Sequence, residues 1–282
     1  MASTDHKKLP NIEFVFSIED WTVADDLPIW AYDRRGDDTN TWLIPDFGFY
    51  AWPEPGVGTY SEVRRRMREV EETRPFADKI PKLVWRGAVT PSVAPTLRQH
   101  LLDQSRNQTW ADVQVLDWKA KDDTARNRIE IEDHCKYQFI QHTAGRAWSG
   151  RLKYVQNCES VIVAHDLEWI QHHQHLLVSE GPAQNYVLVR RDFTDLPEKM
   201  EYLTTHPEEA ERIAKNSARR FRDRYITPAA EACYWRKLVE GWAEVAWKPK
   251  FYKESGEGKE RNWRGVPFES FAIMRTLKWD PV

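Results

Sequence analysis

From Lys82 onward the chain repeats one pattern: a short apolar run, a break, then a stretch with helical spacing. KLVW (82–85) precedes TLRQHLLDQS (96–105), and ADVQVLDW (111–118) alternates apolar with polar side chains. CKYQFIQ (135–141) runs through Ala144-Gly145 into WSGRLKYVQNC (148–158). SVIVA (160–164) precedes DLEWIQHHQHLL (166–177), and NYVLV (185–189) closes the series. Short strands alternating with helices predict a parallel sheet covered on both faces, an α/β fold. Such sheets bind ligands outside the carboxyl ends of their strands. Two helices should follow. Asp195-Leu196-Pro197-Glu198 has the spacing of a capping box, and His206-Pro207-Glu208-Glu209 puts Pro at the first helical position with acids in the first turn.

The chain before Lys82 reads differently. NIEFVFSI (11–18) alternates as a half-buried strand would. Pro28, Pro45, Pro53 and Pro55, set among aromatics and aspartates, make a long loop. YSEVRRRMREVEET (60–73) reads as an exposed helix with Ser61 as its N-cap, and residues 74–81 read as a joint. The expected organisation is a partial first unit over 1–80, a second unit over 81–240, and a C-terminal tail over 241–282.

Several functions are excluded or disfavoured. Lys and Arg number 41 against 44 Asp and Glu, so no basic field points to nucleic acid. The run Arg64-Arg65-Arg66-Met67-Arg68 is balanced by Glu62, Glu69, Glu71 and Glu72 and reads as an ion-paired helix. No apolar run approaches the ~20 residues of a membrane span, and the first residues contain no apolar leader. Cys135, Cys158 and Cys233 are too few and too scattered for a zinc site or a disulfide framework. Asn107-Gln108-Thr109 is an N-glycosylation sequon, which matters only in a lumen. The 14 Trp outnumber the 12 Gly, which suits a core or a cleft for sugars and other flat ligands.

The turn after CKYQFIQ carries the most chemistry. Gly145 breaks the strand, and Ser149-Gly150-Arg151 opens the next helix. A helix start favours a diphosphate, the glycines allow close approach, Ser149 donates a hydroxyl and Arg151 forks onto phosphate oxygens. An ordinary N-cap beside a surface arginine fits the same spacing. Arg86-Gly87, at the end of KLVW, projects toward the same crevice, or forms a salt bridge at the sheet edge. Asp20, at the end of NIEFVFSI, is either a general base facing a cleft or a turn cap. Gly56-Val57-Gly58 follows a proline loop rather than a strand, so it is no dinucleotide fingerprint. His172, His173 and His175 read as a solvated helix face. The doublets Asp25-Asp26, Asp37-Asp38 and Asp122-Asp123 do not support a Mg²⁺ or Mn²⁺ site.

In order along the chain, Lys82-Leu83-Val84-Trp85-Arg86-Gly87-Ala88-Val89-Thr90, Asp133-His134-Cys135-Lys136-Tyr137 and Gly145-x-x-x-Ser149-x-Arg151-x-Lys153 resemble glycosyltransferase family 90. This family holds the capsule-associated and Rumi-type protein O-glucosyltransferase enzymes. The likeness continues through Asn185–Val189, Asp192–Leu196, His206–Ala214 and Ala232–Trp235, and spans roughly residues 9 to 240. It implies a GT-B-like architecture of two Rossmann-like units with parallel sheets, the first truncated here. It further implies an inverting, metal-independent enzyme needing no cofactor. Glucose or xylose would pass from a UDP-sugar to a protein or glycan acceptor hydroxyl in the Golgi or endoplasmic reticulum lumen. Ile18-Glu19-Asp20-Trp21 matches the segment holding the family's base, which makes Asp20 that base. Arg86, Gly87, Thr90, Gly145, Ser149 and Arg151 would line the donor site, and His165 and Asp166, with Trp169, would set sugar choice. Protein O-glucosyltransferases read Arg-Gly-Ser-Arg-Thr where this chain reads Arg86-Gly87-Ala88-Val89-Thr90, one polar contact fewer. The alternative is a non-catalytic remnant that binds a nucleotide sugar or glycan.

Overall fold

The computed structural model describes residues 8–21, 27–54, 56–90, 94–117, 119–122, 127–253 and 264–265. Asp25, Asp26 and Asp123 lie outside them. Residues 15–235 form one compact unit, and residues 1–14 with 236–282 form another.

The larger unit is built on a parallel sheet of five strands. They are β1 (Ile80–Gly87), β2 (Ala111–Val115), β3 (Tyr137–His142), β4 (Val161–His165) and β5 (Val187–Val189). Their order across the sheet is β5-β4-β3-β1-β2. These match the four apolar runs and the one alternating run of the sequence. Because successive side chains point to opposite faces, one run supplies two cores. Leu83, Trp85, Phe139, Val161 and Val163 pack on one face with Leu97, Met200 and Ile213. Val84, Ile140 and Ile162 pack on the other with Tyr60, Met67, Tyr154 and Val155.

The helices are α1 (Tyr60–Thr73), α2 (Pro95–Ser105), α3 (Leu152–Val155), α4 (Leu196–Thr205), α5 (Pro207–Arg220) and α6 (Pro228–Val245). Thr59, not Ser61, caps α1, in a capping box completed by Glu62. Asp195 makes no cap bond into α4; its carboxylate accepts from the Arg190 amide and pairs with Lys199. The helix expected over 148–158 shrinks to one turn in α3. The helix expected over 166–177 is absent: Trp169–Ile170 pairs as a short strand with Arg34–Arg35, and only Gln174–Leu176 makes a 3₁₀ turn. His172 and His173 are therefore buried instead of forming a solvated face, with His172 set 3.2 Å from Glu231.

NIEFVFSI does not form a half-buried strand. Phe16 makes a single parallel bridge to Trp30, and Val15, Phe16 and Ile18 are exposed. A one-bridge contact gives alternation no inner face to bury. The remaining ladders of residues 27–59 are two or three residues long.

Cys135 and Cys158 are joined in a disulfide, contrary to the expectation from their scatter. The 3₁₀ turn Glu132–Lys136 and the end of α3 both pack under α1, which brings their Cα atoms to 4.9 Å. These cysteines and Glu71 form the one trio of potential metal ligands among the described residues, and both sulfurs are already bonded.

In the smaller unit, the Trp242 indole donates to the Glu13 carbonyl at 2.9 Å, and Arg264 pairs with the Glu13 carboxylate at 3.0 Å.

Candidate active site

Two cavities lie at the loops that leave the sheet. The larger, about 280 Å³, is lined by Trp52, Arg86, His134, Ser149, Arg151 and Tyr154, with apolar walls from Ile129 and Ile131. The smaller, about 150 Å³, lies beyond the carboxyl ends of β3, β4 and β5 and is lined by His142, Gly145, Arg146, Trp169 and Arg191.

Arginines dominate the chemistry. Arg86 ends β1 and binds the Asp112 carboxylate at 2.9 and 3.1 Å, while Tyr137 donates to the same carboxylate at 2.6 Å. Its Nε finds no hydrogen-bond acceptor. Gly87 beside it is fixed by packing, since a Cβ there would come within 2.4 Å of the Trp85 ring. Arg98, on α2, reaches the carbonyls of Ala88 and Ala144 and so ties together the loops after β1 and β3. It has no carboxylate partner among the described residues. Arg151 has neither a hydrogen-bond nor an ion-pair partner for its guanidinium among them.

Burial brings the Arg98 guanidinium down to about 10. Burial, then the neighbouring charges of Arg98 and Arg86, brings Arg151 to about 10 as well. Both remain cations at neutral pH. Asp112 pairs with Arg86 alone, and the larger cavity also carries Glu54 and an Arg128–Glu130 pair at 3.3 Å. Arg98 and Arg151 are the cations left without a carboxylate partner among the described residues, in a region drawn partly out of water. That imbalance is the electrostatic signature of an anion site.

The loop 143–151 presents this charge and is held from several sides. Gly145 closes its turn by donating to the Trp148 carbonyl, which a Cβ would approach to 2.5 Å. His165 sits buried beneath: its Nδ1 donates to the Asp166 carbonyl at 2.7 Å, leaving Nε2 to accept from the Ala144 amide at 3.0 Å. Burial pushes its imidazole down to about 4, so it stays neutral and keeps that acceptor. Lys153 is 1% exposed, donates to the Gly150 carbonyl at 2.9 Å and pairs with buried Asp46 at 2.8 Å. Trp52, Trp148, Phe49 and Tyr154 surround its ammonium. Asp46 is held in turn by the Gly48 amide and Gln171.

The expected residues therefore divide. Arg86, Ser149 and Arg151 line the larger cavity, and Gly145 lines the smaller with Trp169. His165 lies under the loop rather than in either cavity, while Thr90 and Asp166 are exposed. Asp20 is exposed next to the smaller cavity's rim, where its neighbour Trp21 stacks on Arg146 at 4.4 Å. Partial desolvation raises the Asp20 carboxyl above its ordinary range, and the Arg146 charge opposes that rise. A helix of four residues has little macrodipole, so the positive potential comes from guanidiniums rather than from the start of α3.

Sequence reasoning missed Arg98, His134 and Asp46. Arg98 carried a signal, an arginine three residues before Leu101 on the buried stripe of α2. His134 is buried, and its Nδ1 hydrogen-bonds the Glu130 and Ile131 carbonyls at 3.2 and 3.1 Å. Its Nε2 has no partner, and burial drives its imidazole to about 3.

The model of glycosyl transferase family 90 matches residues 3–259. The chain belongs to that family. Among curated family 90 relatives, rat protein O-glucosyltransferase 1 is 22% identical over 84% of this chain and 64% of its own length. The Aedes aegypti O-glucosyltransferase rumi homolog is 25% identical over 84% and 62%. Zebrafish protein O-glucosyltransferase 2 is 28% identical over 89% and 51%. The chain thus spans between half and two thirds of these family 90 proteins. A solved sucrose-phosphate synthase from Thermosynechococcus elongatus overlaps 74% of this chain and 54% of its own, with TM-score 0.44 and 12% identity. No helix of the described residues is long and apolar enough to cross a membrane.

Proposed function

We propose that this chain is the catalytic part of a UDP-sugar-dependent glycosyltransferase, moving glucose or xylose to a hydroxyl of a protein or glycan with inversion at the anomeric carbon. The observation that carries the reading is the pair of buried cations near Ser149, Arg98 and Arg151, that have no carboxylate partner among the described residues, beside Arg86 held by Asp112. In this reading residues 81–240 hold the nucleotide sugar, residues 1–80 form the acceptor side, and the whole follows a GT-B plan. Asp20 takes the acceptor proton while that oxygen attacks C1 from the face opposite UDP. The C1–O bond to the diphosphate breaks and UDP leaves with the electron pair. The guanidiniums stabilise the departing charge, the task a divalent metal performs in other transferases. A carboxyl raised by partial desolvation is a stronger base than an ordinary carboxylate. The Cys135–Cys158 disulfide supports a secretory-pathway lumen as the working compartment.

The short ladders of residues 27–59 and the exposed Asp20 favour a second reading, a binding remnant without turnover. One assay separates the two. UDP release from UDP-glucose or UDP-xylose is followed with protein and glycan acceptors, with and without EDTA. The enzyme reading expects release that EDTA leaves intact and Asp20→Asn abolishes. Saturable UDP binding with no release from the wild type would establish the remnant.

A further inference from the structure

We propose that Asn107 is an N-glycosylation site, carrying an oligosaccharide delivered from a polyprenyl-diphosphate-linked donor. The inference concerns neither cavity of the candidate active site and does not depend on catalysis. Asn107-Gln108-Thr109 has the acceptor spacing, an asparagine amide with a hydroxyl residue two positions on.

The fold gives this tripeptide the required exposure. Helix α2 ends at Ser105, Arg106 is its C-cap, and Asn107 follows with φ 61°, the left-handed conformation that asparagine tolerates better than most residues. The turn is tied by its backbone alone: the Gln108 amide donates to Ser105, and the Ala111 amide donates to Gln108. The side chains of Asn107 and Thr109 are both exposed, and neither is engaged in a hydrogen bond among the described residues. Left-handed backbone accounts for an asparagine at 107. It gives no structural task to a threonine at 109.

The surroundings leave room for a glycan. The turn leads into β2, the edge strand of the sheet, beside an open groove of about 720 Å³ lined in part by Leu102, Arg106, Val113 and Tyr137. A branched sugar leaving Asn107 therefore meets solvent and groove rather than packed protein. The disulfide between Cys135 and Cys158 is an independent mark of the oxidising compartment in which this modification takes place.

The transfer balances simply. Asn107 Nδ2 bonds to C1 of the oligosaccharide and loses one proton, while the C1–O bond breaks and the lipid diphosphate departs with the electron pair.

To test it, the whole chain is directed into the lumen of a eukaryotic secretory pathway by an appended cleavable leader. Total extract is analysed under denaturing conditions, so neither retention nor misfolding of a variant hides the result. The expected outcome is one discrete shift in mobility, removed by peptide N-glycosidase, with the resulting Asn-to-Asp conversion mapped to residue 107 by mass spectrometry. The shift should be lost in Asn107→Gln and in Thr109→Ala and kept in Thr109→Ser. Wild-type chain with its leader cleaved and its disulfide formed, yet showing no shift, would overturn the proposal. A shift that persists in Asn107→Gln would overturn it equally.

Discussion

Two regions of this molecule bury positive charge, and they do so differently. On the α1 side of the sheet, Lys79 meets Glu71 at 2.7 Å, and further along Lys153 meets Asp46 at 2.8 Å, each cation matched by a carboxylate. Around the 143–151 loop, Arg86 is paired with Asp112, while Arg98 and Arg151 have no carboxylate partner among the described residues. Arg151 and Lys153 stand two residues apart in sequence and fall on opposite sides of this divide. Burial of a cation is thus no sign of a ligand; a shortage of counter-charge is. Paired charges hold the loop in shape, and the unmatched ones are left to act on an anion.

The largest effect should come from breaking a matched pair. Lys153→Met leaves Asp46 buried without its cation and should cost about 3–5 kcal/mol in urea-unfolding experiments. Adding Asp46→Leu should recover most of that loss; if it does not, the pair is not what holds this region. Next comes the unmatched side. Arg151→Ala should reduce UDP-sugar turnover about 100-fold, roughly 3 kcal/mol of transition-state stabilisation, with no loss of folding stability. Near-normal turnover would erase the distinction drawn between the two regions.

A slightly smaller effect concerns binding alone. UDP at a hundred times its Kd should stabilise the wild type by about 2.7 kcal/mol in thermal melts, fading as salt is raised. The same UDP concentration should stabilise Arg151→Ala far less. The smallest effect is a pH shift. A base works deprotonated, so kcat/KM should fall as pH drops through the Asp20 pKa, with the midpoint above the ordinary carboxylate range. Removing the opposing charge with Arg146→Ala should move that midpoint higher still, and a midpoint left unmoved would separate Asp20 from the acid limb.

The fold was legible where local pattern and final environment agree. Four strands of the parallel sheet stand out as apolar runs, because a strand buried on both faces must be apolar at nearly every position. The edge strand β2 shows as an alternation because it is only partly buried. Helical spacing misled at 166–177, where Trp169–Ile170 pairs with Arg34–Arg35, a partner about 135 residues earlier that outweighs local preference. NIEFVFSI misled in the opposite sense: its alternation suits a sheet, yet among the described residues it finds only the Trp30 bridge. The candidate site was half visible. Ser149 and Arg151 announced themselves through a glycine-flanked turn, Arg98 had no motif that tied it to them, and His134 stood in a family motif that does not by itself place it in the cavity.

By itself the sequence determined the strands of the sheet, the helices over 60–73, 96–105 and 196–220, and the family, since each rests on residue types at short, fixed spacings. Only the tertiary structure decided which cations are neutralised and which are not. Asp46 lies 107 positions before Lys153, and Arg98 lies 53 before Arg151, so their electrostatic fates depend on distances of a few ångströms that no spacing along the chain encodes. Coulomb energy falls with separation in space, and the fold alone sets that separation.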